Sequence, residues 1–148
     1  MKIRQATKYD IDSIIEMLKN YRDVAPIPEL HEANDREYVT RILNAILGGL
    51  GAIFVADNGK LVGMLISIKS NNLWHQRMIE LHELAYWVEP EFRYTSAGYR
   101  LLKAYCDYGT ELKQQGLISR YTVSKMINSP DLKYDRFGFI KLEEKWIN

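Results

Sequence analysis

Two stretches in the first third of the chain repeat apolar residues at the spacing of a helix, i, i+3, i+4 and i+7. These positions are Ile11, Ile14, Ile15, Leu18 and Tyr21 in the first stretch, and Val39, Ile42, Leu43, Ile46 and Leu47 in the second. Thr7 and Asp10 have the spacing of a capping box at the start of the first helix. Asn34 or Asp35 can cap the second. Residues 2 to 6, before the first helix, are expected to form a short strand.

The middle of the chain has the pattern of strands. Residues 52–56 and 61–68 are rich in apolar and β-branched side chains. Between them, residues 57–60 read Asp-Asn-Gly-Lys, and such residues accept the positive φ angles of a tight turn. We therefore predict a β-hairpin, followed by a long strand over residues 78–88.

The last third of the chain alternates helix and strand patterns. We predict a helix over about 96–112, a strand over 118–124, a short helix from 129 to about 138, and a final strand over 139–147. The element order is β-α-α-β-β-β-α-β-α-β. It predicts an α/β (α+β) fold with a mixed sheet. No repeat or linker divides the chain, so residues 1–148 are expected to form one domain.

Composition and charge exclude several classes of protein. The chain has 47% hydrophobic and 26% charged residues, and no run reaches the ~20 apolar residues of a membrane span. Its start lacks the apolar run of a signal peptide, so we expect a cytoplasmic protein without membrane contact. Twenty basic and 19 acidic residues leave a net charge of +1, which disfavours nucleic acid as a partner. One cysteine, Cys106, and scattered histidines predict no disulfide and no metal site.

A cluster of small residues stands where the long strand gives way to the next helix. The segment from Arg93 to Gly98 reads Arg-Tyr-Thr-Ser-Ala-Gly. The first N–H groups of a helix have no partner within the helix, and the helix dipole adds partial positive charge there. Such a turn can bind phosphate. Arg93 and the hydroxyls of Thr95 and Ser96 could add donors to the same anion.

Two motifs about forty residues apart resemble one known family. The stretch V-x-P-E-F-R-x-x-S-x-G followed by Leu-Leu resembles the Q/R-x-x-G-x-G/A signature of the GNAT superfamily of acyl-CoA N-acyltransferases. Downstream, Tyr134-Asp-Arg-Phe-Gly-Phe139 resembles the Y-E-K-L-G-F segment of that family. The resemblance covers nearly the whole chain. It implies a mostly antiparallel central sheet of about six strands, with helices on both faces.

The resemblance also implies roles for individual residues. Acetyl-CoA would be the cosubstrate, without a metal, and its pantetheine arm would run along the backbone near Trp87 and Val88. Asn128 would contact that arm, and Tyr134 would protonate the departing thiolate. The pyrophosphate would lie on the backbone amides of Tyr94, Thr95, Ser96, Ala97 and Gly98. Ser96 stands where the family usually has its first glycine, and the spacing from Asn128 to Tyr134 is one residue shorter than expected.

An amine nucleophile must lose its proton before it attacks, so a proton acceptor is needed, acting directly or through water. Glu80, His82 and Glu83 lie on the long strand. Side chains alternate between the faces of a strand, so His82 and Glu83 cannot both face the substrate unless a bulge intervenes. We prefer Glu83, which resembles a family carboxylate in its E-L-x-x-W-V context.

These observations predict an N-acetyltransferase that moves an acetyl group from acetyl-CoA to a primary amine by direct attack in a ternary complex. The acceptor is a small-molecule amine, a peptide N-terminus or a lysine side chain. The sequence also allows a second hypothesis, an acyl-CoA-binding or protein-interaction module of the same fold without turnover. A homodimer through the terminal strands is compatible with the sequence.

Overall fold

A computed structural model describes residues 1–148, and one five-stranded sheet organises them. The strands are β1 (Lys2–Gln5), β2 (Gly51–Asp57), β3 (Leu61–Asn71), β4 (Ile79–Val88) and β5 (Arg120–Thr122). The helices are α1 (Ile11–Val24), α2 (Arg36–Ala45) and α3 (Ala97–Gln114). The sheet order is β1-β2-β3-β4-β5, and only β4 and β5 are parallel.

The helices cover both faces of the sheet, as predicted. On one face α3 buries Leu101, Leu102 and Tyr105 against β2, β3 and β4. On the other face α1 and α2 bury Ile14 and Leu43 against the same strands. The helical periodicity of the sequence therefore identified the buried stripes correctly. None of the helices is long and apolar enough to cross a membrane.

The predicted capping box at Thr7 is present, and it is joined to the sheet by an ion pair. The Thr7 side chain accepts a hydrogen bond from the Tyr9 N–H, and the Asp10 carboxylate accepts one from the Thr7 N–H at 2.8 Å. Arg4 of β1 donates to both Asp10 oxygens at 2.8 and 2.9 Å. Asp57 at the end of β2 accepts from the same guanidinium at 3.1 Å. The start of α1 is thus fixed to β1 and β2.

The predicted hairpin between β2 and β3 is confirmed. Gly59 has a φ of 88°, a conformation that glycine adopts without strain. The Asp57 side chain accepts a hydrogen bond from the Gly59 N–H at 3.0 Å, which closes the turn. Asp35, one of the two predicted caps of α2, accepts from the Tyr38 N–H at 3.0 Å.

Three predictions for the C-terminal region are wrong in extent. The strand expected over 118–124 is limited to Arg120–Thr122, and the helix expected from 129 to 138 is a 3₁₀-helix at Tyr134–Phe137. Left-handed backbone at both of its ends confines that helix to one turn, with φ of 57° at Lys133 and 87° at Gly138. The final strand expected over 139–147 does not form, because that segment pairs with no other strand. The sheet therefore has five strands rather than six.

Candidate active site

The strands β4 and β5 part after a short junction, and this separation creates the site. They pair only at Glu80–Arg120, Leu81–Tyr121 and His82–Thr122. On the other side of β4, the pairing with β3 shifts by one residue, so that Leu84 is an extra residue in a β-bulge. A bulge bends its strand and increases the local twist. Beyond His82, β4 has no strand partner on the side away from β3, and its backbone edge is open.

Glu83 lies at the point where the two strands separate. Its carboxyl group is buried, with 8% of the residue exposed, and accepts a hydrogen bond from the Ser124 N–H at 3.1 Å. Burial raises the pKa of Glu83 to about 7, against the smaller opposing effect of the Ser124 hydrogen bond. A carboxylate with such a pKa accepts a proton readily near neutral pH. Glu83 thus has the chemistry expected of a general base.

Tyr134, the first residue of the 3₁₀-helix, is near enough to Glu83 to respond to its charge. The ring is half-buried and packs edge-on against Phe139, with ring centroids 6.2 Å apart. Burial, with the Glu83 charge as the second cause, raises the pKa of Tyr134 to about 12. The phenol therefore stays protonated, as a proton donor must. Its hydroxyl makes no hydrogen bond within the protein, which leaves it available to a substrate.

Glu80 and His82, the other candidate bases, belong to a separate polar group at the junction of β4 and β5. Glu80 accepts hydrogen bonds from Arg120 at 3.0 Å and from Asn72 at 2.5 Å, and these contacts lower its pKa. His82 Nδ1 lies 2.7 Å from the Thr122 hydroxyl, and its Nε2 lies 3.7 Å from Glu80. Both residues hold β4 against β5.

The first turn of α3 presents unpaired backbone donors, as the small-residue segment predicted. The N–H groups of Tyr94, Ser96, Gly98 and Tyr99 have no hydrogen-bond partner in the protein. The Ser96 side chain makes no capping hydrogen bond. An anion at this turn can therefore accept several backbone hydrogen bonds and is favoured by the helix dipole. Because the Ser96 hydroxyl accepts no hydrogen bond from these N–H groups, it does not compete with an anion for them.

Thr95 and Ala97 differ from their neighbours in this turn. The Thr95 hydroxyl donates to the Phe92 carbonyl at 2.6 Å and accepts from the Ala97 N–H at 3.2 Å. The Thr95 N–H also donates to the Phe92 carbonyl, at 3.1 Å. The structure thus uses these groups to shape the turn, while the four neighbouring N–H groups stay free.

Tyr86 attaches this turn to β4, a role that the sequence reasoning missed. Its hydroxyl donates a hydrogen bond to the Gly98 carbonyl, and a Cβ at position 98 would lie 3.3 Å from that hydroxyl. This spacing is tighter than most Cβ contacts, so glycine suits the position. The signal available in the sequence was the alternation along β4, which places Tyr86 on the same face as Val88, towards α3.

Trp87, Val88 and Arg93 lie together at the end of β4. Arg93 Nε donates to the Val88 carbonyl at 2.9 Å, and its guanidinium lies over the Trp87 ring, 4.6 Å from the centroid. The Trp87 ring is buried towards α1 against Tyr21, and its indole N–H has no partner. Only the backbone of Trp87 therefore faces the open edge. The two terminal nitrogens of Arg93 make no other hydrogen bond and remain available to an anion.

Asn128 makes a long-range contact with α1. Its side-chain amide donates to the Val24 carbonyl at 2.8 Å, at the C-terminal end of that helix. This hydrogen bond ties the loop after β5 to α1 and satisfies one of the free carbonyls there. In the structure the amide N–H of Asn128 is thus engaged with the protein.

Comparison with known proteins identifies relatives at the level of the fold. The model of the acetyltransferase (GNAT) family matches residues 14–139. An integron cassette protein from the mobile metagenome of Cole Harbour Salt Marsh has a TM-score of 0.73 at 17% identity, over 99% of this chain and 88% of that chain. An acetyltransferase of Trypanosoma brucei has a TM-score of 0.70 at 16% identity, over 99% and 97%.

A third similar structure is an aminoglycoside acetyltransferase from an uncultured soil metagenomic sample, in complex with trehalose. Its TM-score is 0.68 at 18% identity, over 99% of this chain and 92% of that chain. At such identities these likenesses show the shared fold alone. No curated protein sequence matches the chain.

Proposed function

Because this chain belongs to the acetyltransferase (GNAT) family, we propose that it transfers an acetyl group from acetyl-CoA to a primary amine by direct attack in a ternary complex. The observation that carries the proposal is the position of Glu83. It lies buried at the fork between β4 and β5, with its pKa raised to about 7 and within electrostatic reach of the Tyr134 phenol. In this proposal Glu83 is the proton acceptor and Tyr134 is the proton donor.

The residues at the end of β4 and the start of α3 suit coenzyme A. The free N–H groups of Ser96, Gly98 and Tyr99 form a site for its pyrophosphate, and the unpaired nitrogens of Arg93 can reach the same anion. The open backbone edge at Trp87 and Val88 suits the amide groups of an extended pantetheine arm. Acetyl-CoA supplies an activated acyl thioester when bound.

Glu83 is the proposed general base. A primary amine is mostly protonated at neutral pH, since an alkylammonium has a pKa near ~10. Glu83 in its ionised form accepts the proton that the amine must lose, directly or through water, and the amine then forms its bond to the acyl carbon. The Ser124 N–H keeps the carboxylate in place by its hydrogen bond. The raised pKa makes Glu83 a stronger base than an exposed glutamate.

Tyr134 is the proposed general acid. Its hydroxyl is free of protein hydrogen bonds and stays protonated throughout the neutral range, because burial holds its pKa at about 12. As the carbon–sulfur bond breaks, the phenol donates to the sulfur, which leaves as a thiol. The proton that Glu83 received returns to solvent with the next turnover.

Thr95, Ala97 and Asn128 have supporting roles in this proposal. Thr95 and Ala97 fix the turn on which the free N–H groups lie. Asn128 holds the loop after β5 against α1, on the side of the sheet where Trp87 is buried. This loop connects β5 to the helix of Tyr134, so the hydrogen bond restrains the segment that carries the acid.

Calorimetry with acetyl-CoA tests the binding half of the proposal. Ser96→Asp places a negative charge among the free N–H groups and is expected to abolish detectable binding. Ser13→Asp is the matched control and should bind as the wild type does, because it adds the same charge at an exposed position on α1, on the opposite face of the sheet. Absence of binding to the wild type would reject the proposal.

Thiol release from acetyl-CoA, measured with a panel of amines, tests the transfer half. The panel includes a polyamine, a peptide with a free N-terminus, a lysine peptide and an aminoglycoside. The aminoglycoside is included because one structural neighbour is an aminoglycoside acetyltransferase. Binding of acetyl-CoA without turnover on any amine would favour the alternative, a binding module of the same fold.

A further inference from the structure

Residues 140–148 carry large apolar side chains that the rest of the chain does not cover. Ile140 is 89% exposed and Trp146 is 86% exposed, and Leu142 and Ile147 are also exposed. None of residues 140–148 forms a backbone–backbone hydrogen bond. Unpaired N–H and C=O groups in an extended apolar segment are a template for pairing with another strand.

The strand β5 offers an unpaired edge at the place where this segment begins. The Phe139 ring packs edge-on against Tyr121 of β5, with ring centroids 5.6 Å apart. β5 is the last strand of the sheet, so its side away from β4 has no strand partner. The chain thus has two unpaired backbone edges, one on β5 and one on residues 140–147, which do not pair with each other.

A small cavity of about 130 Å³ lies beside this edge of β5. Its volume is below the ~300–1,000 Å³ typical of small-molecule pockets, so it suits a protruding side chain better than a free ligand. The cavity combines aromatic rings with positive charge. Its lining residues are Lys113, Arg120, Tyr121, Phe137, Gly138 and Phe139.

The exposed segment matches this surface in shape of side chains and in charge. Because side chains alternate along a strand, Ile140, Leu142, Glu144 and Trp146 would share one face. That face carries three large apolar groups and one carboxylate. Glu144 contacts Lys141 at 2.6 Å, but both side chains are exposed, so water screens this pair.

Lys113 supplies the complementary charge beside β5. It is exposed and has no ion-pair partner, whereas the other cation of the cavity, Arg120, is paired with Glu80 at 3.0 Å. The free charge on the cavity is therefore positive, and the free edge of β5 lies next to it. The apolar face of residues 140–146 can cover the aromatic rings while Glu144 meets the Lys113 ammonium.

We propose that residues 140–147 of one copy of the chain add as a strand to the β5 edge of a second copy, which returns the same contact. Reciprocal exchange of one segment gives a closed dimer with two-fold symmetry. Trp146 covers the cavity beside β5 of the other copy, and Glu144 pairs with Lys113 there. The strand pattern of this segment thus finds the partner edge that one chain does not provide.

Sedimentation equilibrium tests the dimer without any measurement of activity, so the result does not depend on the proposed function. The wild type at micromolar concentration is expected to have twice the 17.3 kDa mass of one chain. Trp146→Asp should have the mass of one chain. Trp146 is exposed in the single chain, so this variant should keep the wild-type circular dichroism spectrum. A single-chain mass for the wild type would overturn the proposal.

Tyr9→Asp is the matched control. Tyr9 is another exposed aromatic residue, and it follows β1, at the opposite edge of the sheet from β5. The variant should form the dimer as the wild type does. Loss of the dimer in both variants would indicate general association of exposed apolar groups, and a dimer of Trp146→Asp would indicate another surface. Either result would overturn the proposal.

A charge exchange tests the placement of the segment. Lys113→Glu should weaken the dimer about tenfold, because each of the two contacts then opposes like charges. Lys113→Glu combined with Glu144→Lys should restore wild-type dimer affinity. Equal weakening in the single and the double variant would overturn the pairing of Glu144 with Lys113 and with it the proposed docking.

Amide hydrogen exchange tests the strand itself. In the single chain the N–H groups of residues 140–147 have no backbone partner, so they should exchange at the rate of an unfolded peptide in Trp146→Asp. In the wild-type dimer, alternate N–H groups of this segment should be protected, because every second one points towards the partner edge. A dimer without such protection would overturn strand addition.

Discussion

The carboxylate of Glu83 accepts a hydrogen bond from the backbone N–H of Ser124 at 3.1 Å, just beyond the last residue pair that joins β4 to β5. A side chain thus takes the place of a backbone carbonyl at the point where the strands separate. The contact places an ionisable group at the fork and keeps it from water. The proposed chemistry depends on this arrangement, and four predictions follow from it and from the surrounding fold.

The rate of acetyl transfer should depend on the ionisation of Glu83. Below about pH 7 we expect kcat/KM to fall about tenfold per pH unit, because Glu83 becomes protonated and cannot act as a base. Glu83→Gln should lower kcat by a factor of ~10²–10⁴ and remove the break in the profile near pH 7. Glu37→Gln, at an exposed position on α2, should keep the wild-type profile. A wild-type profile without a break near pH 7 would contradict the role of Glu83.

Glu83 should also make the stability of the protein depend on pH. Its folded-state pKa of about 7 lies above its ordinary value of 4.5, so the folded protein binds this proton more tightly than the unfolded chain does. The contribution of Glu83 to stability is therefore lost as pH rises from about 4.5 to about 7. Glu83→Gln should be more stable than the wild type at pH 8, by up to ~3 kcal/mol at ~1.4 kcal/mol per pKa unit.

Urea unfolding of both proteins at pH 5 and pH 8 measures this difference. The advantage of Glu83→Gln should shrink to below ~1 kcal/mol at pH 5, because the folded carboxyl group is then protonated and pH 5 lies close to the ordinary pKa of 4.5. A variant that is less stable than the wild type at pH 8 would show that the Glu83 carboxylate is not strained by burial.

Removal of the Tyr134 hydroxyl should impair transfer and leave binding intact. We expect Tyr134→Phe to lower kcat by a factor of ~10²–10⁴ with unchanged calorimetric affinity for acetyl-CoA, because the hydroxyl acts only on the departing sulfur. The hydroxyl makes no hydrogen bond within the protein, so the variant should unfold at the wild-type urea concentration. Tyr38→Phe, at an exposed position on α2, is the control. Wild-type kcat for Tyr134→Phe would assign the proton donor to another group.

The ion pair between Arg4 and Asp10 should contribute measurably to stability. The Asp10 side chain is 12% exposed, and Asp10→Asn should lower the free energy of unfolding by ~2–3 kcal/mol, because it leaves the half-buried Arg4 without that charge. Asp12→Asn is the matched control. Asp12 pairs with Arg36 at 2.6 Å, but its side chain is 89% exposed, so we expect a loss below ~1 kcal/mol.

Acid should reduce this contribution. Hydrogen bonds from Arg4 hold the pKa of Asp10 below its ordinary value, so the ion pair stabilises the protein above that value and is lost as pH falls through the lowered pKa. Urea unfolding at pH 7 and pH 3 measures it. Equal losses for Asp10→Asn and Asp12→Asn at pH 7 would show that burial of the pair adds nothing.

The elements that the sequence predicted well are those that depend on neighbouring residues. The capping box at Thr7 and Asp10 and the turn at Gly59 each form within a few positions of the chain, so their signals are complete locally. The signals for the amphipathic helices are also local, because one stripe of apolar residues on each helix determines which side packs against the sheet.

The errors concern contacts between distant residues. Ile140 and Leu142 alternate with polar residues, a pattern typical of a strand, but a strand requires a partner edge and that segment has none. The bulge at Leu84 likewise depends on how β3 pairs with β4, which alternation alone does not specify.

In the candidate site, too, the features formed by neighbouring residues were predictable, and the contacts between distant residues were not. The turn before α3 was predictable because small residues and a helix start are adjacent in sequence, and its free N–H groups follow from helix geometry. The contacts of Tyr86 with Gly98 and of Glu83 with Ser124 join residues that lie 12 and 41 positions apart. Contacts between residues so far apart in the sequence cannot be predicted from its hydrophobic periodicity.

The short pairing between β4 and β5 also affects local unfolding of the protein. Three residue pairs connect β5 to the sheet, whereas β3 and β4 are joined along most of their length. Regions with few pairings open at lower free energy than the rest of a fold. We therefore expect the C-terminal part of the chain, from β5 onward, to open locally before the rest of the fold, starting where β4 and β5 separate.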